Sequence, residues 1–189
     1  MTTAIAKDEA FNFTYRANID ALKTLGEVVF FSPLRDEVMP QCDYLYLPGG
    51  YPELFADELT ANETMRQSIR SYAENGGRIF AECGGFMYLT RSIDDKEMCG
   101  VLPLEATMEN AHLHLGYRQM LVDGHLYRGH EFHYSSIKEG TLPDDVLMIQ
   151  NQCSAKGTKV PTAIYKYKNV VAGYTHWYWA EHPDYLMSL

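Results

Sequence analysis

Apolar positions in the first half of the chain switch repeatedly between two periods. Short, nearly continuous apolar runs (TTAIA at 2–6, EVVFFS at 27–32, DYLYLP at 43–48 and RIFAE at 78–82) have the length and residue types of buried strands. Between them the spacing becomes helical. Phe11, Tyr15, Ile19, Leu22 and Leu25 predict one helix, which Gly26 ends. Residues 52–77 carry a second helical pattern, with a break expected near Thr60-Ala61-Asn62, where a new N-cap can form. Residues 84–93 predict a further helix. Alternation of this kind implies a parallel sheet with helices on both faces.

The second half reads differently. RQMLVD, GHLYRGHEFHYSSI, TAIYKYK and NVVAGYTHWYW are strand-like and separated by turn residues, which predicts antiparallel additions to the sheet. The ending, WYWAEHPDYLMSL, reads as a short closing helix or loop. No linker or internal repeat interrupts the pattern. Residues 1–189 are therefore read as one α/β domain with an open, mostly parallel sheet.

Composition narrows the function classes. Of the 189 residues, 46% are hydrophobic and 22% charged, the profile of a globular domain with a proper core. A formal charge of −9, from 16 basic and 25 acidic residues, argues against a nucleic-acid partner. No apolar run reaches the roughly 18 residues of a membrane span, so no membrane partner is expected. MTTAIAKDEAF lacks the plan of a secretory signal, which points to a cytoplasmic location. That N-terminus enters a strand at once, as though a preceding segment belonged to it. Cys42, Cys83, Cys99 and Cys153 form no CxxC pair, which disfavours a zinc knuckle, a dithiol centre and a disulfide framework.

One cysteine stands apart. In RIFAECGGFMYLT, residues 78–90, Cys83 falls at the junction of a predicted strand and a predicted helix. Functional groups in open α/β sheets collect at such carboxyl ends of strands. A nucleophile on a sharp strand-to-helix turn is held clear of its neighbours, and the following helix N-terminus favours a thiolate. Ala81 and Gly85 relieve crowding at the turn, and the N–H of Gly84 points where an oxyanion would form. A second glycine corner, Pro48-Gly49-Gly50, ends the Leu45–Leu47 run, so Gly50 is expected to supply the second oxyanion donor. The other three cysteines lack a glycine corner and read as packing residues.

The histidine pairs do not read as metal sites. His112 and His114 share a strand face, but two histidines rarely hold a metal alone. His130 and His133 are three apart, where the zinc motif HExxH needs four on a helix. No metal is expected on this chain.

LPGGYPE at 47–53 followed by AECGGFMYL at 81–89 resembles the glutamine amidotransferase domain of cobyrinate a,c-diamide synthases, a class I (triad-related) group with a flavodoxin-like fold. AKDEAFNFTYRANIDALKTLG at 6–26, GHEFHYS at 129–135 and AGYTHWYW at 172–179 resemble the same domain in the same order. The resemblance implies a glutaminase with glutamine as substrate, Cys83 as nucleophile, His176 as general base and acid, and a glutamyl thioester intermediate. It also implies an N-terminal ATPase domain that binds ATP and Mg and activates a carboxylate of the corrinoid cobyrinic acid. The chain has no GxxxxGK(S/T) phosphate loop, so that domain is absent from it and no cofactor is expected on the chain itself. One face of GHEFHYS is implied to line the glutamine pocket, with His133 and Ser135 as the candidates.

There is one departure. Many class I enzymes place a carboxylate two residues after the histidine; here that position is Tyr178. His182-Pro183-Asp184 is the runner-up for the triad end. Without an orienting carboxylate the base is expected to depend on docking of the ATPase domain. Asp8, Phe11, Phe13 and Tyr15, with Trp177, Tyr178, Trp179 and Tyr185, are candidates for the docking surface, against an ordinary role in the core. Two rivals stand beside this reading: a PfpI-type, peptidase-like hydrolase with an elbow cysteine, and a non-catalytic binding module on the same fold.

Overall fold

A computed structural model describes residues 1–183. The first half runs β1 (Thr2–Ala6), α1 (Arg16–Leu25), β2 (Glu27–Phe31), β3 (Tyr44–Leu47), a 3-10 turn at Pro52–Phe55, α2 (Ala56–Ala61), α3 (Glu63–Glu74), β4 (Arg78–Glu82) and α4 (Gly84–Leu89). Three short strands follow, β5 (Ser92–Ile93), β6 (Lys96–Glu97) and β7 (Glu105–Thr107), then a long hairpin of β8 (His114–Val122) and β9 (His125–His133). The remainder is β10 (Ser136–Ile137), β11 (Val146–Ile149), β12 (Cys153–Ser154), β13 (Ile164–Tyr167), β14 (Val170–Gly173) and β15 (His176–Tyr178).

The central sheet has the order β11-β13-β14-β4-β3-β1-β2. It is parallel from β14 to β2 and antiparallel at β13 and β11. Side chains alternate along its strands and so build two cores. Ala4, Leu45, Leu47, Ile79, Ala81 and Ala172 face one core, which α2, α3 and α4 cover. Ile5, Tyr44, Tyr46, Phe80 and Val171 face the other. Helices alone do not cover that second face. A small sheet, β12-β8-β9-β15, shares it with α1 and contributes Met120, Tyr127 and Trp177. Of the second-half strands only β11, β13 and β14 join the main sheet, and β14 joins it in parallel. The strand β15 falls within the strand-like run NVVAGYTHWYW and takes the first two residues of the closing segment, whose described remainder, 179–183, has neither helix nor strand.

Local chemistry sets the helix limits. Periodicity carries the first helix back to Phe11, yet α1 starts at Arg16. Asp8 takes the intervening backbone. Its Oδ1 accepts N–H bonds from Ala10 (2.9 Å) and Phe11 (3.1 Å), and its Oδ2 accepts from the Ser32 hydroxyl and the Leu34 N–H. Such bonds offer the chain an alternative to helix. Asn62 caps α3 at the expected break, its side chain accepting the N–H of Met65. The helix after Cys83 stops at Leu89, and Thr90 turns extended.

Three adjacent parallel strands end at one edge of the sheet. β3 runs into Gly49-Gly50, β4 into Cys83, and β14 toward His176. The N–H of Cys83 donates to the Gly173 carbonyl at 2.8 Å, which brings the ends of β4 and β14 level. Asn18 in α1 fixes the next segment: its Nδ2 donates to the Trp177 carbonyl at 2.8 Å and its Oδ1 accepts the Trp179 N–H at 3.2 Å.

Candidate active site

Cys83 sits at φ 47° and ψ −105°, a backbone conformation that a side chain bearing a Cβ rarely adopts. Holding it there costs on the order of 1–3 kcal/mol, and two anchors do so. The Cys83 N–H is bonded to Gly173, and its carbonyl accepts the N–H of Met87 at 2.9 Å. The thiol is buried and donates to the Phe132 carbonyl at 3.7 Å. The N–H groups of Gly84 and Gly50, the expected oxyanion donors, both reach the sulfur.

The thiol is nevertheless not a thiolate at rest. Burial pushes it up to about 12, and the nearby Glu53 and Glu82 carboxyls add to the rise. The two glycine N–H groups pull the other way and do not prevail. The expectation that the helix N-terminus favours a thiolate is thus overturned: α4 has six residues and Cys83 is almost wholly desolvated.

His176 starts β15, whose antiparallel register sets it opposite His130 of β9. Burial lowers its imidazole to about 3, with His130 and His133 lowering it further. The ring stacks on His130 (centroids 4.9 Å, planes 17°) and meets Phe13 nearly edge-on at 4.6 Å. Behind it lies the Gly49 backbone, so close that a Cβ there would stand 2.1 Å from the histidine Cε1. Gly50 is equally confined, since a Cβ would lie 1.9 Å from the Ala10 carbonyl oxygen. Nδ1 of His176 is buried and has no hydrogen-bond partner among the described residues. Tyr178, at the usual carboxylate position, faces outward against the Tyr15 ring at 5.5 Å.

A pocket of about 300 Å³ joins these groups: Cys83, Gly50 and His176 line it together with Phe13, His130 and Phe132. The other candidates lie elsewhere. His133 and Ser135 line a neighbouring cavity of about 280 Å³ with Arg118 and Glu131. There Nε2 of His133 meets Glu131 at 3.1 Å, its ring stacks on Tyr174 at 3.6 Å, and Ser135 bonds the Tyr174 hydroxyl at 2.9 Å. The alternation of β9 explains the split, because the opposite strand face carries His130 and Phe132 toward Cys83. The His182 ring lies tilted against His125, with centroids 4.3 Å apart, near the hairpin end. Asp184 and Tyr185 lie outside the described residues. Phe11, Trp177 and Trp179 are core, Asp8 is fully engaged in the turn above, and Phe13 and Tyr178 remain exposed. Among the described residues no group of three potential metal ligands occurs, and no helix is long and apolar enough to cross a membrane.

The model of the CobB/CobQ-like glutamine amidotransferase domain family matches residues 2–184. The chain is 42% identical over 183 residues to a cobyrinate a,c-diamide synthase of Fusobacterium nucleatum, covering 92% of this chain and 40% of that protein. A hydrogenobyrinate a,c-diamide synthase of Stutzerimonas stutzeri is 39% identical, with 95% and 42% covered. The chain belongs to the CobB/CobQ-like glutamine amidotransferase domains. A glutamine amidotransferase from Thermotoga maritima shares the fold at TM-score 0.60 and 13% identity, over 93% of this chain and 75% of that one. The amidotransferase domain spans less than half the length of the curated relatives it matches. Membership sets aside the peptidase-like rival.

Two carboxyls near Cys83 in the amidotransferase domain escaped the sequence reading. Glu82 is buried, accepting the Trp177 N–H at 2.8 Å and the Tyr46 hydroxyl at 2.7 Å. Burial raises it to about 8, so it is largely neutral in the fold. Its signal was a lone carboxylate in the apolar run RIFAE, immediately before the nucleophile. Glu53 has one buried oxygen without a partner among the described residues, and burial raises its carboxyl.

A neutral thiol beside a neutral imidazole makes a kinetic prediction. Alkylation of Cys83 by iodoacetamide should climb about tenfold per pH unit from about pH 6 to about pH 9, with no plateau. A flat rate across that range would reveal a preformed thiolate–imidazolium pair.

Proposed function

We propose that the domain hydrolyses glutamine and, joined to an ATP-dependent partner, supplies ammonia for the amidation of corrinoid carboxylates. The thiol of Cys83 attacks the side-chain amide of glutamine and gives its proton to His176. The resulting oxyanion is held by the N–H groups of Gly50 and Gly84. His176 then protonates the departing ammonia, leaving a glutamyl thioester that water hydrolyses. Because thiol and imidazole are both neutral at rest, the proton moves only as the substrate is attacked. Ser135 donates to the sulfur of Met87 in the helix after Cys83 at 3.2 Å, and through this contact His133 and Ser135 are proposed to support the site from behind.

The observation that carries this reading is the convergence of Cys83, two backbone N–H donors and His176 on one pocket. The relatives' names point to cobyrinate or hydrogenobyrinate as the acceptor and to the a and c side chains as the amidated positions. The remaining length of those relatives is the proposed place of an ATPase portion, with ATP and Mg bound there and not on this domain. A cytoplasmic location follows from that biosynthetic role. Exposed Phe13 and Tyr51 rim the pocket, and exposed Tyr178 packs on Tyr15, which in turn meets Phe13; these are the proposed contacts with the partner, over which ammonia would pass.

The test is mass spectrometry after exposure to 6-diazo-5-oxo-norleucine, with glutamine as competitor. A single adduct on Cys83, blocked by glutamine and lost in His176→Ala, is the expected result. No labelling, with or without the ATPase portion, would overturn the glutaminase reading and leave a binding module.

A further inference from the structure

Among the described residues no carboxylate bonds His176, yet its ring is not loose. It is boxed on three sides by groups that come from three separate parts of the chain. His130 stacks on it in near-parallel planes because the β9–β15 register sets the two residues opposite one another. Phe13, from the loop before α1, closes a second side edge-on. The Gly49 backbone closes the third. The stacked partner is itself fixed: the Tyr15 hydroxyl lies 2.6 Å from Nδ1 of His130, and Phe13 meets the His130 ring at 5.4 Å. Tyr15 directly precedes α1, and α1 holds β15 through the two hydrogen bonds of Asn18. The loop that bears Phe13 is tied to the oxyanion corner as well, since the Phe13 N–H donates to the Gly49 carbonyl at 3.0 Å.

We propose that Phe13 and His130 are positioning residues that fix the plane of the His176 imidazole by aromatic contact, in place of a triad carboxylate, and that Tyr15 fixes His130. Flat rings suit this task in a buried site. They restrict the rotation of a neighbouring ring without adding a charge, and the offset-stacked and edge-on arrangements seen here are the favoured ones. A carboxylate at the same place would draw a proton toward the imidazole and hold it there. An aromatic box leaves the base neutral until the thiol proton arrives. The unpartnered Nδ1 fits this scheme, because the orientation of the ring does not rest on a hydrogen bond from that atom.

This inference rests on the reading of His176 as the proton-transfer group, so the experiment has two arms. The first uses the 189-residue chain and 6-diazo-5-oxo-norleucine, separating the maximal rate of Cys83 alkylation from the half-saturating concentration. His130→Ala and Phe13→Ala should each lower the maximal rate about tenfold, with little change in half-saturation, as expected when a reacting group is misplaced and not lost. His130→Phe, which keeps a flat ring and loses the nitrogens, should recover most of what His130→Ala loses, and Tyr15→Phe should fall between them. His130→Phe as impaired as His130→Ala would overturn the proposal, as would an effect confined to half-saturation.

The second arm follows the ring-proton resonances of His176 by NMR, which report its surroundings whether or not the chain reacts. Phe13 is exposed, so Phe13→Ala is expected to fold, and it should move those resonances along with His130→Ala. Unmoved resonances in both variants would overturn the box. Unchanged alkylation in His176→Ala together with moved resonances would instead locate the failure in the proton-transfer reading.

Discussion

Gly49→Ala is expected to lower glutamine hydrolysis by about 10²-fold while the domain remains folded. The added Cβ would stand 2.1 Å from Cε1 of His176, a separation no packed side chain tolerates. Something must move. The imidazole has little room, because Phe13 and His130 occupy its other sides. If the ring yields, the base leaves its place beside Cys83. If the backbone yields, the neighbouring N–H of Gly50 leaves the sulfur. Either displacement removes one element of the proposed chemistry, and neither touches the core of the sheet. Ammonia release gives kcat/KM, and near-ultraviolet circular dichroism checks the fold. Activity within about threefold of the parent would show that His176 works from another position.

Glu82→Ala is expected to destabilise the domain by about 2–4 kcal/mol, because it leaves the buried Trp177 N–H and Tyr46 hydroxyl without a partner. Glu82→Gln should recover most of that loss. The two variants also differ from the parent in pH dependence. The carboxyl is raised to about 8 in the fold, whereas in the unfolded chain it titrates in the ordinary range. Between those values the folded state holds a proton that the unfolded state has lost. The contribution of Glu82 to stability is therefore fully present below the ordinary carboxylate range and falls by about 1.4 kcal/mol per pH unit as pH rises toward the folded value, read as the difference between parent and Glu82→Gln. Both substitutions remove that slope. Urea unfolding at several pH values would show it, and an identical slope in Glu82→Gln would mean that the buried carboxyl is already ionised.

Much of the site was legible because it is local. The elbow of Cys83 and the Gly49-Gly50 corner are each written in a few consecutive residues, as is the Asn62 cap. Features that depend on pairing between distant segments were not legible. Which face of GHEFHYS meets Cys83 is decided by the opposition of His176 and His130, a register no short window contains. The partners of Glu82 come from β3 and β15, so its role could not be seen in RIFAE alone. The first helix was over-extended for a related reason: half of the bonds that hold Asp8 are made to residues 32 and 34. The neutral thiol was missed because burial, not the adjacent helix, sets its proton affinity.

The parallel pairing of β4 with β14 has a consequence for synthesis on the ribosome. Cys83 follows β4 in the first half of the chain, and His176 follows β14 close to the other end, although β4 and β14 are neighbours in the sheet. Contacts of such long range close late, since the loop between them must first be ordered. A nascent chain that has emerged only as far as α4 displays the cysteine without its base and without the Gly173 carbonyl that anchors its corner. The proposed chemistry thus requires β14 to have docked beside β4, so that a chain shorter than Gly173 lacks both the base and the anchor of the nucleophile's corner.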